Sequence, residues 1–118
     1  MKQDIVYLKH VLDAIGAIQE YARGVDEVKF VYGEERRTSD AVIRQIEVIG
    51  MAVKNLSPAL RAAHPRVPWK DIAGMRDKVS HDYMGVDLFQ VWEVAKKDLP
   101  ALKKQVRKIT LAEEKIID

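Results

Sequence analysis

The chain has 118 residues, 47% apolar and 32% charged, with no cysteine; 20 Lys+Arg against 18 Asp+Glu leave a formal charge of +2. That length fits one domain, and the composition excludes a disordered chain. The lack of cysteine excludes a disulfide scaffold, a thiolate zinc site and a cysteine nucleophile, and the near balance of charge means that any phosphate-binding surface must come from clustered cations.

The start, Met1-Lys2-Gln3-Asp4, leads into an amphipathic segment and not into the apolar core of a signal peptide. No run approaches the roughly 20 apolar residues of a membrane span. A cytoplasmic protein without membrane contact is expected. Ile5, Leu8, Leu12 and Ile15 recur at three- and four-residue steps, flanked by Val11 and Ile18, which is one apolar stripe of a helix. Asp4 is an early-turn acid, and Gly24 marks the end of this helix. Residues 26–32 read as one or two helical turns, broken by Gly33.

The second long helix is built on Val42, Ile46, Ile49, Val53 and Leu56. Thr38 or Ser39 can cap it, or it extends back toward Glu34, and Ser57-Pro58 stops it. Gly50 beside this stripe either permits a close helix contact or is tolerated at about 1 kcal/mol relative to alanine. Pro58 begins a short helix through Arg61 and Ala62, and Pro68 suits the first turn of the next one. That helix carries Ile72, Met75 and Val79 on one side, and Gly85 ends it. The last long helix follows Asp87 with the stripe Leu88, Trp92, Ala95, Leu99, Leu102, Val106 and Ile109. Pro100 lies inside it and predicts a kink or a break. No alternating strand pattern competes. The expected fold is all-α, an antiparallel bundle of four or five helices in a single domain over residues 1–118.

Residues 72–86 hold the groups with useful chemistry: Arg76, His81 and Tyr83. A guanidinium can stabilise charge on a transferring phosphate, and a histidine can move a proton near neutral pH. On an ideal helix Arg76 and Tyr83 lie almost on one face, whereas His81 is rotated from Arg76 by roughly 140°. Either the long arginine curls round, or the helix bends near Gly85, or a second chain completes the site. Asp77, four residues before His81, shares its face and can orient it by a hydrogen bond. That partner, and a place in the last turn of a helix, would both favour a cationic imidazole. From spacing alone, an arginine and a histidine on a helix are most often surface or interface groups, and Tyr83 a core-edge tyrosine with a wet hydroxyl.

The Arg76-x4-His81-x-Tyr83 pattern in a small helical chain resembles the HEPN superfamily, specifically its HepT-like ribonuclease toxins. The likeness extends to Arg44-Gln45-Ile46-Glu47-Val48-Ile49-Gly50-Met51-Ala52, similar to the family's second-helix block. His64-Pro65-Arg66-Val67-Pro68-Trp69-Lys70-Asp71-Ile72-Ala73-Gly74-Met75-Arg76 resembles its proline–tryptophan segment. Val86-Asp87, Val91-Trp92 and Asp98-Leu99-Pro100-Ala101-Leu102 resemble its final helix, so the likeness covers roughly residues 4–105. It implies a HEPN-type bundle and a metal-independent endoribonuclease that acts as a homodimer, two motif copies facing each other. Arg76 and His81 would be the catalytic pair. Tyr83 would be the residue that a cognate minimal nucleotidyltransferase antitoxin modifies with AMP, in a toxin–antitoxin pair. Two positions depart from the family: Asp77 stands where an amide is common, and Met51 where an acid often precedes Ala52.

No cofactor or metal is expected. RNA would need a cationic approach, with Arg61, Arg66, Lys70, Lys103 and Lys104 as candidates and Lys96, Lys97, Arg107 and Lys108 as further cations on the last helix. A solvated helix face is the plainer reading of the same charges. Trp69 and Trp92 read as packing anchors, and His10 and His64 as surface or loop residues. Two other readings stay open: a non-catalytic nucleotide- or substrate-binding subunit of a two-component nucleotidyltransferase, and a purely structural helical dimer.

Overall fold

A computed structural model describes residues 2–81 and 87–117, and the side chains of residues 2–75 and 87–116. Among the described residues there is no strand. The α-helices are α1 (Lys2–Ala22), α2 (Glu27–Val31), α3 (Arg36–Lys54), α4 (Pro58–Ala63), α5 (Trp69–His81), α6 (Leu88–Glu93) and α7 (Leu99–Ile117). A π-helical turn, Val94–Asp98, joins α6 to α7 without a gap, so these three make one rod. The long rods are therefore α1, α3, α5 and this composite, and the fold is all-α.

Side-chain contacts set the directions. Lys96 Nζ donates to the Ala22 carbonyl at 3.4 Å, and Lys103 Nζ donates to Gln19 Oε1 at 2.9 Å. Lys9 lies 4.0 Å from Glu114. Numbers on α1 fall as those on the last rod rise, so the two run antiparallel. Asp4, at the start of α1, meets Ser57 just beyond the end of α3, so those two are antiparallel as well. Between the rods lie Leu8, Val11, Ile15 and Ile18 of α1, Val42, Ile46, Ile49 and Val53 of α3, and Leu99, Leu102, Val106 and Ile109 of α7. Each set repeats at three- and four-residue steps, the period that puts one face of a helix inward.

The punctuation between helices follows local chemistry. Gly24 and Gly33 flank α2 at φ +70° and +84°, where a Cβ would clash with the backbone. Asp26 caps α2, its Oδ1 accepting from Val28 N at 2.7 Å. α3 starts earlier than a Thr38 or Ser39 cap would set it, with Glu35 at the cap position. Ser39 is instead buried inside α3, its hydroxyl donating to the Arg36 carbonyl at 3.0 Å, which satisfies it without ending the helix. Leu56 lies past the end of α3 yet stays in the core. Pro68 stands one residue ahead of α5, its carbonyl accepting from Ile72 N at 3.0 Å. Gly50 is buried in α3. Gly85 lies outside the described residues.

The disruption expected at Pro100 takes the form of the π turn. Proline has no N–H for the carbonyl four residues back. The Leu99 N–H just before it donates to the Val94 carbonyl, five residues back, and the rod continues through the proline.

One buried polar group ties three elements together. Asp4 is 3% exposed. Its Oδ1 accepts from Ser57 N and its Oδ2 from Ser57 Oγ, both at 2.8 Å, and Ser57 Oγ in turn accepts from Leu60 N at 3.2 Å, capping α4. Asp4→Ala leaves the Ser57 N–H and hydroxyl short of a partner, which costs about 1–3 kcal/mol. Chemical denaturation should show that loss, with Asp4→Asn destabilised less because its carbonyl can still accept.

Candidate functional site

The helix that carries the candidate chemistry is anchored by its first half. Trp69 and Ile72 of α5 are buried, and Met75 packs against the core from the edge. Trp69 Nε1 donates to the His64 carbonyl at 3.0 Å, which fixes the link from α4 to the start of α5. Helical backbone then runs unbroken through Arg76, Asp77 and His81. Arg76 and His81 are thus rotated about 140° around one axis, and Asp77 and His81 only about 40°. The bend expected near Gly85 falls outside the described residues, so the reach of the arginine, a bend there and a second chain are the three routes to convergence. Tyr83 lies outside the described residues.

The predicted cations separate by environment. Arg66, Lys70 and Lys104 are exposed. Arg61 is half-buried, and its Nε is a buried donor without a partner among the described residues. Lys103 is half-buried and bonded to Gln19, so it bridges helices. Lys96 is engaged too: its ammonium sits 4.9 Å from the centre of the Trp92 ring and reaches the last carbonyl of α1. Lys97 lies 2.8 Å from Glu93, and the hydrogen bond and charge of that carboxylate raise its pKa. Arg107 and Lys108 are exposed.

Both tryptophans are buried anchors, Trp92 with its ring 5.0 Å from that of Phe30. His10 is exposed, its ring 6.2 Å from Tyr7, and His64 is half-buried in the link before α5. Met51 is 45% exposed on α3. Among the described residues no three His, Asp or Glu side chains gather as metal ligands, and no helix is long and apolar enough to cross a membrane.

Two cavities flank the approach to α5. One, of about 420 Å³, lies between the start of α5 and the last rod, with Ile72, Met75, Val94 and Leu102 in its wall. The other, of about 560 Å³, lies between the α4–α5 link and α7, with Arg66, Val67, Lys108 and Ile109 in its wall. Gln105 lines both. Sequence reasoning did not find this surface. Its signal was the run Ala101, Gln105, Lys108 and Ala112, small and polar residues on one helical face beside the core stripe.

The fold and the motif helix define a small helical domain of the HEPN kind. The family described as HepT-like, "Ribonuclease HepT-like", matches residues 11–109. The chain belongs to the HepT-like family. It is 44% identical over 110 residues to a Methanocaldococcus jannaschii protein named "Gamma-glutamylcyclotransferase and putative RNase"; the match covers 92% of this chain and 49% of that protein. It is 43% identical over 114 residues to a "Putative RNase" of Caldanaerobacter subterraneus subsp. tengcongensis, covering 97% of this chain and all of that one. It is 39% identical over 103 residues to a protein of Thermococcus cleftensis named "Probable ribonuclease HepT", covering 87% and 92%. The chain thus spans about half of the first relative and nearly all of the other two. No solved structure matches it.

Proposed function

We propose that this chain is the toxin of a toxin–antitoxin pair, a metal-independent endoribonuclease acting as a homodimer in the cytoplasm. The observation that carries the reading is the placement of Arg76, Asp77 and His81 on one unbroken helix, inside the segment that matches the HepT-like family. In this mechanism a ribose 2′-hydroxyl attacks the adjacent phosphorus and the bond to the 5′-oxygen breaks. His81 takes the proton of the attacking hydroxyl or gives one to the departing oxygen, and Asp77 holds its ring. Arg76 stabilises the negative charge that builds on the phosphate. The products are a 2′,3′-cyclic phosphate, which opens to a 3′-phosphate, and a 5′-hydroxyl. Two helices facing each other across a two-fold axis bring Arg76 of one chain near His81 of the other, which answers the 140° rotation.

Control in this reading rests on Tyr83. Transfer of AMP from ATP to its hydroxyl, with release of pyrophosphate, by a nucleotidyltransferase partner puts bulk and negative charge two residues from His81 and repels an RNA phosphate. Co-expression with the partner should rescue growth and add the mass of AMP to the wild-type chain. Tyr83→Phe should lack the added mass. An unchanged mass shift in that variant removes Tyr83 as the acceptor.

A further inference from the structure

The cavity beside α5 and the cavity beside the α4–α5 link follow each other along α7, with Gln105 in both walls, and together line one trough. Its halves differ in charge. The half beside α5 carries Asp71 and Asp98. The far half carries Arg66 and Lys108 and has no carboxylate in its wall. Neither cation has an ion pair or a side-chain hydrogen bond among the described residues. An anion bound in this cavity is attracted by both cations.

The link that carries Arg66 is held in place before any ligand arrives. Val67 beside it is buried, and its N–H donates to the His64 carbonyl at 3.3 Å. The Trp69 N–H donates to the Val67 carbonyl at 2.8 Å, and the Trp69 indole holds the His64 carbonyl. Arg66 therefore extends from a fixed loop, and little backbone order is lost when it binds.

We propose that the trough is a second RNA-binding site, in which a backbone phosphate of the strand flanking the cut sits on Arg66 and Lys108. The neighbouring base lies against Val67 and Ile109, and the Gln105 amide is placed to meet a base edge. The acidic half passes no phosphate, so the strand presents bases there and its backbone to solvent. RNA is favoured over an acidic protein segment because the trough leads along α5 toward the motif. From Trp69 to His81 that helix rises about 18 Å. A stacked strand advances about 3.4 Å per nucleotide, so the length of α5 alone, from the Arg66 side to the motif end, corresponds to about five nucleotides. The inference rests on the ribonuclease reading and adds to it a preference for longer single strands.

The test compares the wild-type chain with an Arg66→Gln/Lys108→Gln double variant on single-stranded RNAs of three and twelve nucleotides. Lys54→Gln, exposed on α3, controls for lost charge. The wild type should prefer the longer RNA in kcat/KM. The double variant should lose about tenfold of that preference, through KM, and the salt slope of its RNA affinity should fall by about 0.7, the value for one single-strand phosphate contact. If the double variant matches the wild type in length preference and salt slope, the trough is not an RNA site, while cleavage by both leaves the ribonuclease reading standing. If the wild type cuts neither RNA, both readings fall together. If the double variant keeps its RNA affinity but releases a bound protein partner, the surface belongs to that partner and the proposal is overturned.

Discussion

His81→Ala should slow RNA cleavage by about 10²–10⁴-fold, the usual worth of one general acid–base group. Arg76→Ala should slow it by about 10²–10³-fold, because the phosphate charge then loses its fixed counter-charge. The double variant should be about as slow as the slower single one, since the two groups act on one transition state and their effects do not add. Both positions fall in the second half of α5, beyond the buried Trp69 and Ile72 that anchor it. Melting temperatures should therefore stay close to that of the wild type. Initial rates on one RNA, read beside thermal melts, check this. Wild-type rates in either variant remove that residue from the mechanism.

Trp92→Ala should cost about 3–5 kcal/mol of stability, the range for truncating a buried aromatic. Trp92 is 9% exposed and sits 5.0 Å, ring centre to ring centre, from Phe30 of α2. The Lys96 ammonium also lies 4.9 Å from its ring centre and reaches the Ala22 carbonyl at the end of α1. The truncation thus opens a cavity and loosens the contacts among α1, α2 and the last rod. Lys96→Ala keeps the ring and removes only a partly exposed cation, so it should cost under about 1 kcal/mol. Denaturant midpoints at constant slope measure both. A loss below 1 kcal/mol for Trp92→Ala contradicts the packing described here.

The core was legible in the sequence because helical burial leaves a period. The stripes on α1, α3 and the last rod are the faces found inward. What was not legible depends on residues far apart in the chain. Asp4 reads as an ordinary early-turn acid, and only the fold brings it to Ser57, 53 residues later. Lys96 and Lys103 read as cations of an RNA approach or of a solvated helix face, and only tertiary packing gives them Trp92, Ala22 and Gln19 as partners. Ser39 reads as a cap because serine favours caps, but burial and an i−3 bond hold it inside α3. Pro100 announces a disruption; its outcome, a π turn, depends on how the flanking rods pack. Of the candidate site, the spacing of Arg76, Asp77 and His81 carried both the candidate chemistry and the angular mismatch between Arg76 and His81. The trough was not legible, because its two walls meet only when α7 folds back beside the α4–α5 link.

The most direct test of the central claim is a cleavage assay on the purified wild-type chain in excess chelator, with the product ends identified. The metal-independent 2′-hydroxyl mechanism predicts undiminished cleavage that leaves 2′,3′-cyclic or 3′-phosphate ends and 5′-hydroxyls. Loss of cleavage on chelation, or products with 3′-hydroxyl and 5′-phosphate ends, would contradict it.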